Sequence, residues 1–149
     1  MNRFELPILV RPADIDGLGH VNNVVYLRWM QDAATAHWES AAPPELRAAV
    51  SWVVSRHEID YKAAAFPGER LVARTWVGEV RGATWERFIE IRRADDDRLL
   101  ARGRSVYAAL DRTTGRPRRV DHTIRAAFDP PAPPGPAPPP PPASAAPPL

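Results

Sequence analysis

Ten residues near the start of the chain, DIDGLGHVNN from Asp14 to Asn23, hold the groups whose types and spacing could do chemistry. Asp14 and Asp16 supply carboxylates, which can attack a carbonyl carbon or activate a water molecule. His20 can orient a neighbouring group or share a proton with it. Gly19 would let the backbone approach a substrate closely. The segment is therefore the first candidate for a catalytic site.

The residues that follow predict a long helix that starts at this segment. From Val24 to Trp38 the apolar side chains recur every three or four residues, and Asn22 or Asn23 is a good N-cap. A helix N-terminus presents unpaired N–H groups and the positive end of the helix dipole. It can polarise a carbonyl oxygen that becomes negative during acyl transfer. The pattern thus allows hydrolysis of an acyl group without a metal ion or a thiol, but does not require it.

Each of these residues also has a purely structural interpretation. An aspartate beside glycine, such as Asp16, is ordinary turn chemistry, and Asn22 and Asn23 would cap the helix whether or not they help catalysis. Asp14 is expected to accept hydrogen bonds from loop amides. His20 is balanced between a role in a catalytic network and a role in stabilising the loop.

The rest of the chain predicts strands. Phe4–Val10 is strand-like, and after residue 50 four long segments rich in β-branched and aromatic residues follow, separated by turn signals. We expect these four strands to be joined by hairpins. The arginines and glutamates that alternate along them are expected to face solvent. The predicted apolar face includes Ile59, Tyr61, Leu71, Ala73, Val77, Ile89, Ile91, Val106 and Ala108.

This order predicts an α+β fold, in which an antiparallel sheet wraps around one long helix. A short helix is expected over Asp121–Phe128. From Asp129 onward the sequence is DPPAPPGPAPPPPPASAAPPL, which holds most of the chain's 18 prolines. The prediction is a folded domain over residues 1–128 and a disordered proline-rich tail over 129–149.

Composition excludes several classes of function. The chain has 20 Lys+Arg and 18 Asp+Glu, a formal net charge of +2, with the charges interspersed, so no nucleic-acid partner is expected. It has no cysteine, and no His/Asp spacing that predicts a metal site. No apolar run approaches the roughly 20 residues that span a bilayer, and the apolar stretch near Pro7 is too short for a signal peptide. A cytoplasmic protein with neither membrane partner nor cofactor is the expectation.

Together, the segment D14-I-D16-G-L-G-H20-V-N-N-V-V-Y26-L-R-W29 and the order of elements resemble the hotdog-fold acyl-CoA thioesterases of the 4-hydroxybenzoyl-CoA thioesterase type. They also resemble the related acyl-ACP thioesterases, which share an Asp-x-Asp followed by His-x-Asn-Asn. The resemblance covers residues 3–127. It implies the hotdog fold and a thioester hydrolase that releases a carboxylic acid and CoA, with CoA as part of the substrate.

The resemblance also implies roles for individual residues. Asp16 would be the nucleophile or general base, the backbone N–H of Asn23 would polarise the thioester carbonyl, and His20 would join the catalytic network. In this family the site lies between two protomers, so a homodimer or a tetramer of paired dimers is expected. The residues expected to bind substrate or CoA are Gly19, Tyr26, Arg81, Thr84, Arg118 and Arg119.

Two departures favour acyl-CoA over acyl-ACP as the substrate. Leu18 stands where the acyl-ACP enzymes have asparagine, and K62-A-A-A65 contains no counterpart to their glutamate. An acyl-ACP thioesterase and a non-catalytic acyl-thioester-binding protein remain the alternatives. A hotdog hydratase is disfavoured, because three residues rather than four separate Asp16 from His20. The acyl group, and the choice between an anhydride and a general-base mechanism, are left open.

Overall fold

The computed structural model describes residues 3–129, which form a five-stranded antiparallel sheet and one long helix. The predicted tail lies outside the described residues from residue 130. A 3-10 turn at Pro12–Asp14 precedes the long helix. The elements are β1 (Phe4–Leu9), α1 (Asn23–Ala41), α2 (Pro44–Ala49), β2 (Val50–Tyr61), β3 (Arg70–Arg81), β4 (Thr84–Arg93), β5 (Leu99–Asp111) and α3 (His122–Ala126).

The strand order is β1-β3-β4-β5-β2, so β1 and β2 form the two edges. Hairpins join β3 to β4 and β4 to β5, as predicted, but β2 pairs with β5 and not with β3. The prediction of a hairpin between β2 and β3 is wrong. The reason is that the chain after β2 bonds to β5 and to the Asp16 segment and does not turn back along β2. The N–H groups of Lys62 and Ala63 donate to Leu100 O, and Ala65 O accepts from Val21 N.

Helix α1 buries one face against the sheet, which confirms the predicted α+β architecture. It begins one residue before the predicted range and ends three residues after it. The buried side chains of α1 follow helical spacing: Val25, Tyr26, Trp29, Met30, Ala33, Ala34 and His37. Among the described residues, none of the helices is long and apolar enough to cross a membrane.

The helix approaches β5 so closely that only small residues fit beneath it. A Cβ atom added at Gly103 would lie 2.6 Å from Met30 Sδ. Gly103 and Ser105 are therefore on the inner face of β5 and are buried, while Val106 and Ala108 are not. The prediction that Val106 and Ala108 belong to the inner face is wrong, because strand parity puts them on the opposite side.

A second buried cluster packs against the sheet beside the C-terminal end of α1. Asp121 caps α3 by accepting a hydrogen bond from Ile124 N at 3.0 Å, so the predicted C-terminal helix is present in shortened form. Ile124 and Phe128 then pack against Trp85 of β4. The short helix α2 lies at the same end and was not predicted.

Candidate active site

Residues 15–21 form a small closed loop that carries two of the predicted catalytic side chains. Ile15 and Val21 pair as an antiparallel bridge, and Asp16 N donates to His20 O at 3.0 Å. Gly19 N donates to Asp16 O at 3.1 Å, and Gly19 has a φ of +83°, which side-chain-bearing residues rarely adopt. The glycine of the motif is therefore needed to close the loop.

The loop is fixed both to the start of the helix and to the connection between β2 and β3. Val21 N donates to Ala65 O, and Asn22 N donates to Asp14 O, each at 2.9 Å. Asn22 is the N-cap of α1, with its side chain accepting from Val24 N at 3.0 Å. Asp16 and His20 are thus held at the beginning of the long helix by hydrogen bonds on either side.

Asp14 holds the loop together from inside. It is buried, and its carboxylate accepts from Arg11 N at 2.9 Å and from Arg28 Nη2 at 2.7 Å. Burial raises the pKa of Asp14, but these two donors outweigh it and leave the pKa below its usual value. Asp14 accepts from a loop amide as expected, and Arg28 is a supporting residue that was not predicted from the sequence.

Asp16 and His20 lie next to each other and are both partly accessible. Asp16 Oδ1 accepts from Leu18 N at 2.9 Å and lies 3.8 Å from His20 Nδ1, with side-chain exposures of 24% and 31% respectively. His20 Nδ1 also donates to Val21 O at 3.2 Å. Because a carbonyl oxygen only accepts, this bond assigns the proton to Nδ1 and leaves Nε2 with a lone pair in the neutral ring.

The first turn of α1 offers a backbone donor beside this loop. Among residues 3–129, the N–H of Asn23 makes no hydrogen bond. The Asn22 side chain caps the next N–H group, that of Val24, and leaves the N–H of Asn23 free. The hydroxyl of Tyr61 donates to Asn23 O at 2.9 Å and anchors the first residue of α1. Tyr26, predicted to bind substrate, is buried and packs edge-on against Tyr61 with ring centroids 5.4 Å apart.

The residues predicted to bind CoA gather around the β3–β4 turn. The exposed Arg81 pairs with Glu79, and Thr84 Oγ1 donates to Arg81 O at 2.9 Å. Val120 N donates to Gly82 O at 2.9 Å, which attaches the 118–121 segment to this turn. Arg118 pairs with Asp121 at 3.2 Å.

A polar cleft opens beside this turn, and Arg119 forms part of its wall. His122 and Arg125 of α3 also line it, together with the acidic Asp121 and Asp129. His122 and Arg125 were not predicted as site residues from the sequence. Their spacing on a short helix after GRPRRV was the available signal.

The two groups of predicted site residues lie at opposite ends of one protomer. The Asp16 loop is attached near the start of β3, because Val21 N donates to Ala65 O and Val10 N donates to Glu69 O, whereas Gly82 follows the last residue of β3. At roughly 3.3 Å per residue, the 12 residues of β3 span about 35 Å. The structure therefore brings Asp16, His20 and Asn23 together but does not bring Arg81 or Arg119 to them within one chain. Residues 3–129 hold no group of three or more His, Asp or Glu that could bind a metal ion.

Residues 10–145 match the sequence model of the thioesterase-like superfamily. The chain belongs to this superfamily. No curated protein matches it. Solved thioesterase structures share its fold, which confirms the hotdog architecture expected from the resemblance.

Three solved structures illustrate the similarity. A predicted thioesterase from Bacillus stearothermophilus has 26% identity and a TM-score of 0.73, with 85% of this chain and 93% of that chain covered. A thioesterase from Thermus thermophilus, in complex with coenzyme A and Zn, has 25% identity and a TM-score of 0.73, with 83% and 90% covered. A 1,4-dihydroxy-2-naphthoyl-CoA thioesterase from Synechocystis shares the fold at 20% identity and a TM-score of 0.73, with 85% and 95% covered.

Proposed function

We propose that this protein hydrolyses acyl-CoA thioesters to a free carboxylic acid and CoA. The observation that carries the proposal is the Asp16–His20 loop, hydrogen-bonded to the N-terminus of α1, in a member of the thioesterase-like superfamily. The coenzyme A held by the Thermus thermophilus relative supports CoA as the carrier.

The chemistry follows from the partly exposed carboxylate and the free amide. Asp16 either attacks the thioester carbonyl carbon, forming an anhydride that water opens, or takes a proton from the water that attacks. In both cases the carbonyl oxygen gains negative charge, and the N–H of Asn23 at the positive end of α1 stabilises it. The C–S bond breaks, and the thiolate of CoA takes up a proton. The N–H of Leu18 orients the Asp16 carboxylate, and His20 Nε2, on the ring beside it, is available to carry a proton.

CoA binding is assigned to the polar cleft at the β3–β4 turn. Arg119 and Arg125 supply positive charge and directed N–H donors, which suit phosphate oxygens, and His122 adds a ring nitrogen to the cleft wall. Arg81, Thr84 and Arg118 flank the cleft, although each of their side chains already has a partner within the chain. Asp121 and Asp129 on the cleft wall would limit the affinity for phosphate.

The distance between the two ends requires two protomers in one site. β2 is a 12-residue edge strand that exposes Val53 and Val54, and an unpaired strand edge is a template for pairing. Antiparallel pairing of two β2 strands about a two-fold axis brings Val50 of one copy near Tyr61 of the other. The end of one protomer that carries the polar cleft then lies beside the Asp16 loop of its partner. The resulting homodimer can pair again to form a tetramer.

The test is thiol release from short, long, branched and aromatic acyl-CoAs by the wild type, Asp16→Asn and Asp32→Asn. Asp32 is an exposed acid on α1 and serves as the matched control. We expect wild-type hydrolysis of at least one substrate, a loss of about 10²-fold or more in Asp16→Asn, and little change in Asp32→Asn. Equal activity of Asp16→Asn and wild type would remove Asp16 from the mechanism. Hydrolysis of acyl-ACP alone would change the carrier, and activity on neither would favour a binding protein.

A further inference from the structure

A cavity of about 250 Å³ lies between the C-terminal half of α1 and the sheet, away from the Asp16 loop of the same chain. Five of its 14 lining residues are aromatic, and the loop at residues 15–21 of the same chain contributes nothing to its lining. Trp52 packs edge-on against Trp38, and Trp85 packs edge-on against Phe128, so the four rings form a rigid lining. Cavities of this size lie near the lower limit of small-molecule sites, which suits a ligand of one or two rings.

Arg87 of β4 is the buried charge on this cavity wall. Its residue is only 6% exposed, and its Nη1 donates to His37 Nδ1 at 3.0 Å and to Thr75 Oγ1 at 2.8 Å. Its guanidinium also lies 5.3 Å from the ring centroid of Phe128. Within residues 3–129, Arg87 forms no salt bridge with a carboxylate, and both hydrogen bonds of its guanidinium come from Nη1, which leaves the Nε and Nη2 edge for a ligand.

The surroundings leave this charge uncompensated. Burial lowers the pKa of Arg87 to about 10, so the guanidinium stays protonated at neutral pH. Of the two acids on the cavity wall, Glu86 is bound by Arg104 Nε at 2.6 Å, and Glu39 is on the exposed surface of α1. A buried cation without an anion is costly, and an anionic ligand would remove that cost.

We propose that this cavity binds a small planar carboxylate, specifically an aromatic acid. Its carboxylate lies on the Nε and Nη2 donors of Arg87, and its ring lies among the tryptophans. The two free donor positions of one guanidinium match the two oxygens of a carboxylate. Aromatic walls favour a flat ring in edge-to-face or offset contact. The proposal concerns binding of the free acid and does not depend on thioester hydrolysis.

The first experiment uses the unmodified protein and pairs of ligands that differ only in charge. Benzoate and cinnamate are titrated beside benzamide and cinnamamide by calorimetry, with tryptophan fluorescence as a second readout of the cavity. We expect each acid to bind at least about tenfold more tightly than its amide, as for a charge-assisted bond in a buried site. Equal affinity of acid and amide, or no binding of either acid up to about 1 mM, would overturn the proposal.

Two arginine variants then test which side chain binds the carboxylate. Arg112 also lines the cavity but is exposed, so Arg112→Met is the matched control for Arg87→Met. We expect Arg87→Met to abolish the preference for acid over amide and Arg112→Met to keep it. The reverse pattern would contradict the role of Arg87. If Arg87→Met does not fold, the wild-type ligand pairs together with Arg112→Met still decide the question.

Discussion

His37 and Arg87 form a buried pair in which only the arginine carries a charge. His37 is 1% exposed, and its Nδ1 accepts from Arg87, so its proton resides on Nε2. Burial, together with the positive charge of Arg87, lowers the pKa of His37 to about 4. His37 is therefore neutral in the folded protein at all but acidic pH.

This pKa makes the stability of the fold sensitive to mild acid. The unfolded chain binds a proton at His37 near pH 6.5 and the folded chain only near pH 4, so unfolding takes up a proton between these values and stability falls as the pH is lowered. We expect His37 to account for a loss of about 2 kcal/mol in the free energy of unfolding between pH 7 and pH 4.5.

Urea unfolding at the two pH values measures this loss. His37→Gln, which keeps an acceptor for Arg87 without titrating, should lose much less stability between them than wild type. The exposed His122→Gln is the control and should behave like wild type. An unchanged pH dependence in His37→Gln would contradict the assignment, with His57, whose pKa burial also lowers, as the remaining source.

Residue types in a short motif were easier to predict than a charge inside the sheet. The DIDGLGHVNN segment combines turn residues with a helix cap, and the structure places Asp16, His20 and Asn23 together. Arg87, in contrast, was not identified from the sequence as a functional residue. It shares strand parity with Trp85, Ile89 and Ile91, so the alternation in the sequence already indicated the inner face.

At the scale of the elements, the junction between the loop and α1 carries the proposed chemistry. A substitution can isolate the backbone donor there, because proline is well tolerated at the first position of a helix and lacks only the N–H. Asn22 has an extended backbone with ψ of 137°, which is the conformation required before proline. The bond from Tyr61 to the carbonyl of residue 23 would be kept.

We expect Asn23→Pro to lower kcat for thioester hydrolysis by about 10² to 10³-fold, the typical effect of removing one donor to a developing oxyanion. Asn23→Ala, which removes the side chain and keeps the N–H, should remain within about threefold of wild type. Steady-state kinetics measures both, and far-UV circular dichroism checks that α1 persists. Comparable losses in the two variants would mean that the side chain, not the amide, matters.

The elements themselves were predicted unevenly, and the differences have physical causes. Local patterns fix α1 and the β3–β4–β5 hairpins, because helical spacing and tight turns are properties of neighbouring residues. The pairing of β2 with β5 depends on contacts between distant segments, such as Val50 with Asp111. The same holds for Gly103, whose position follows from the close approach of Met30.

At the scale of the whole molecule, one protomer divides the proposed site between its two ends. The Asp16 loop is at the Arg70 end of β3 and the polar cleft is at the Gly82 end. Sequence alone implied a shared site only through the family resemblance. The fold supplies a physical argument for it, since pairing of the exposed β2 edges would join the end of one copy to the opposite end of the other.

A hybrid dimer tests this arrangement most directly. Asp16→Asn and a charge-reversed Arg119→Glu/Arg125→Glu chain are co-expressed with different tags, and the dimer that carries both is purified and assayed for acyl-CoA hydrolysis. Each parent homodimer should lose most of its activity. If each site combines Asp16 of one protomer with the polar cleft of the other, one site of the hybrid carries both lesions and the other site is intact. Roughly half of the wild-type activity should then return. A hybrid as inactive as its parents would contradict the shared site.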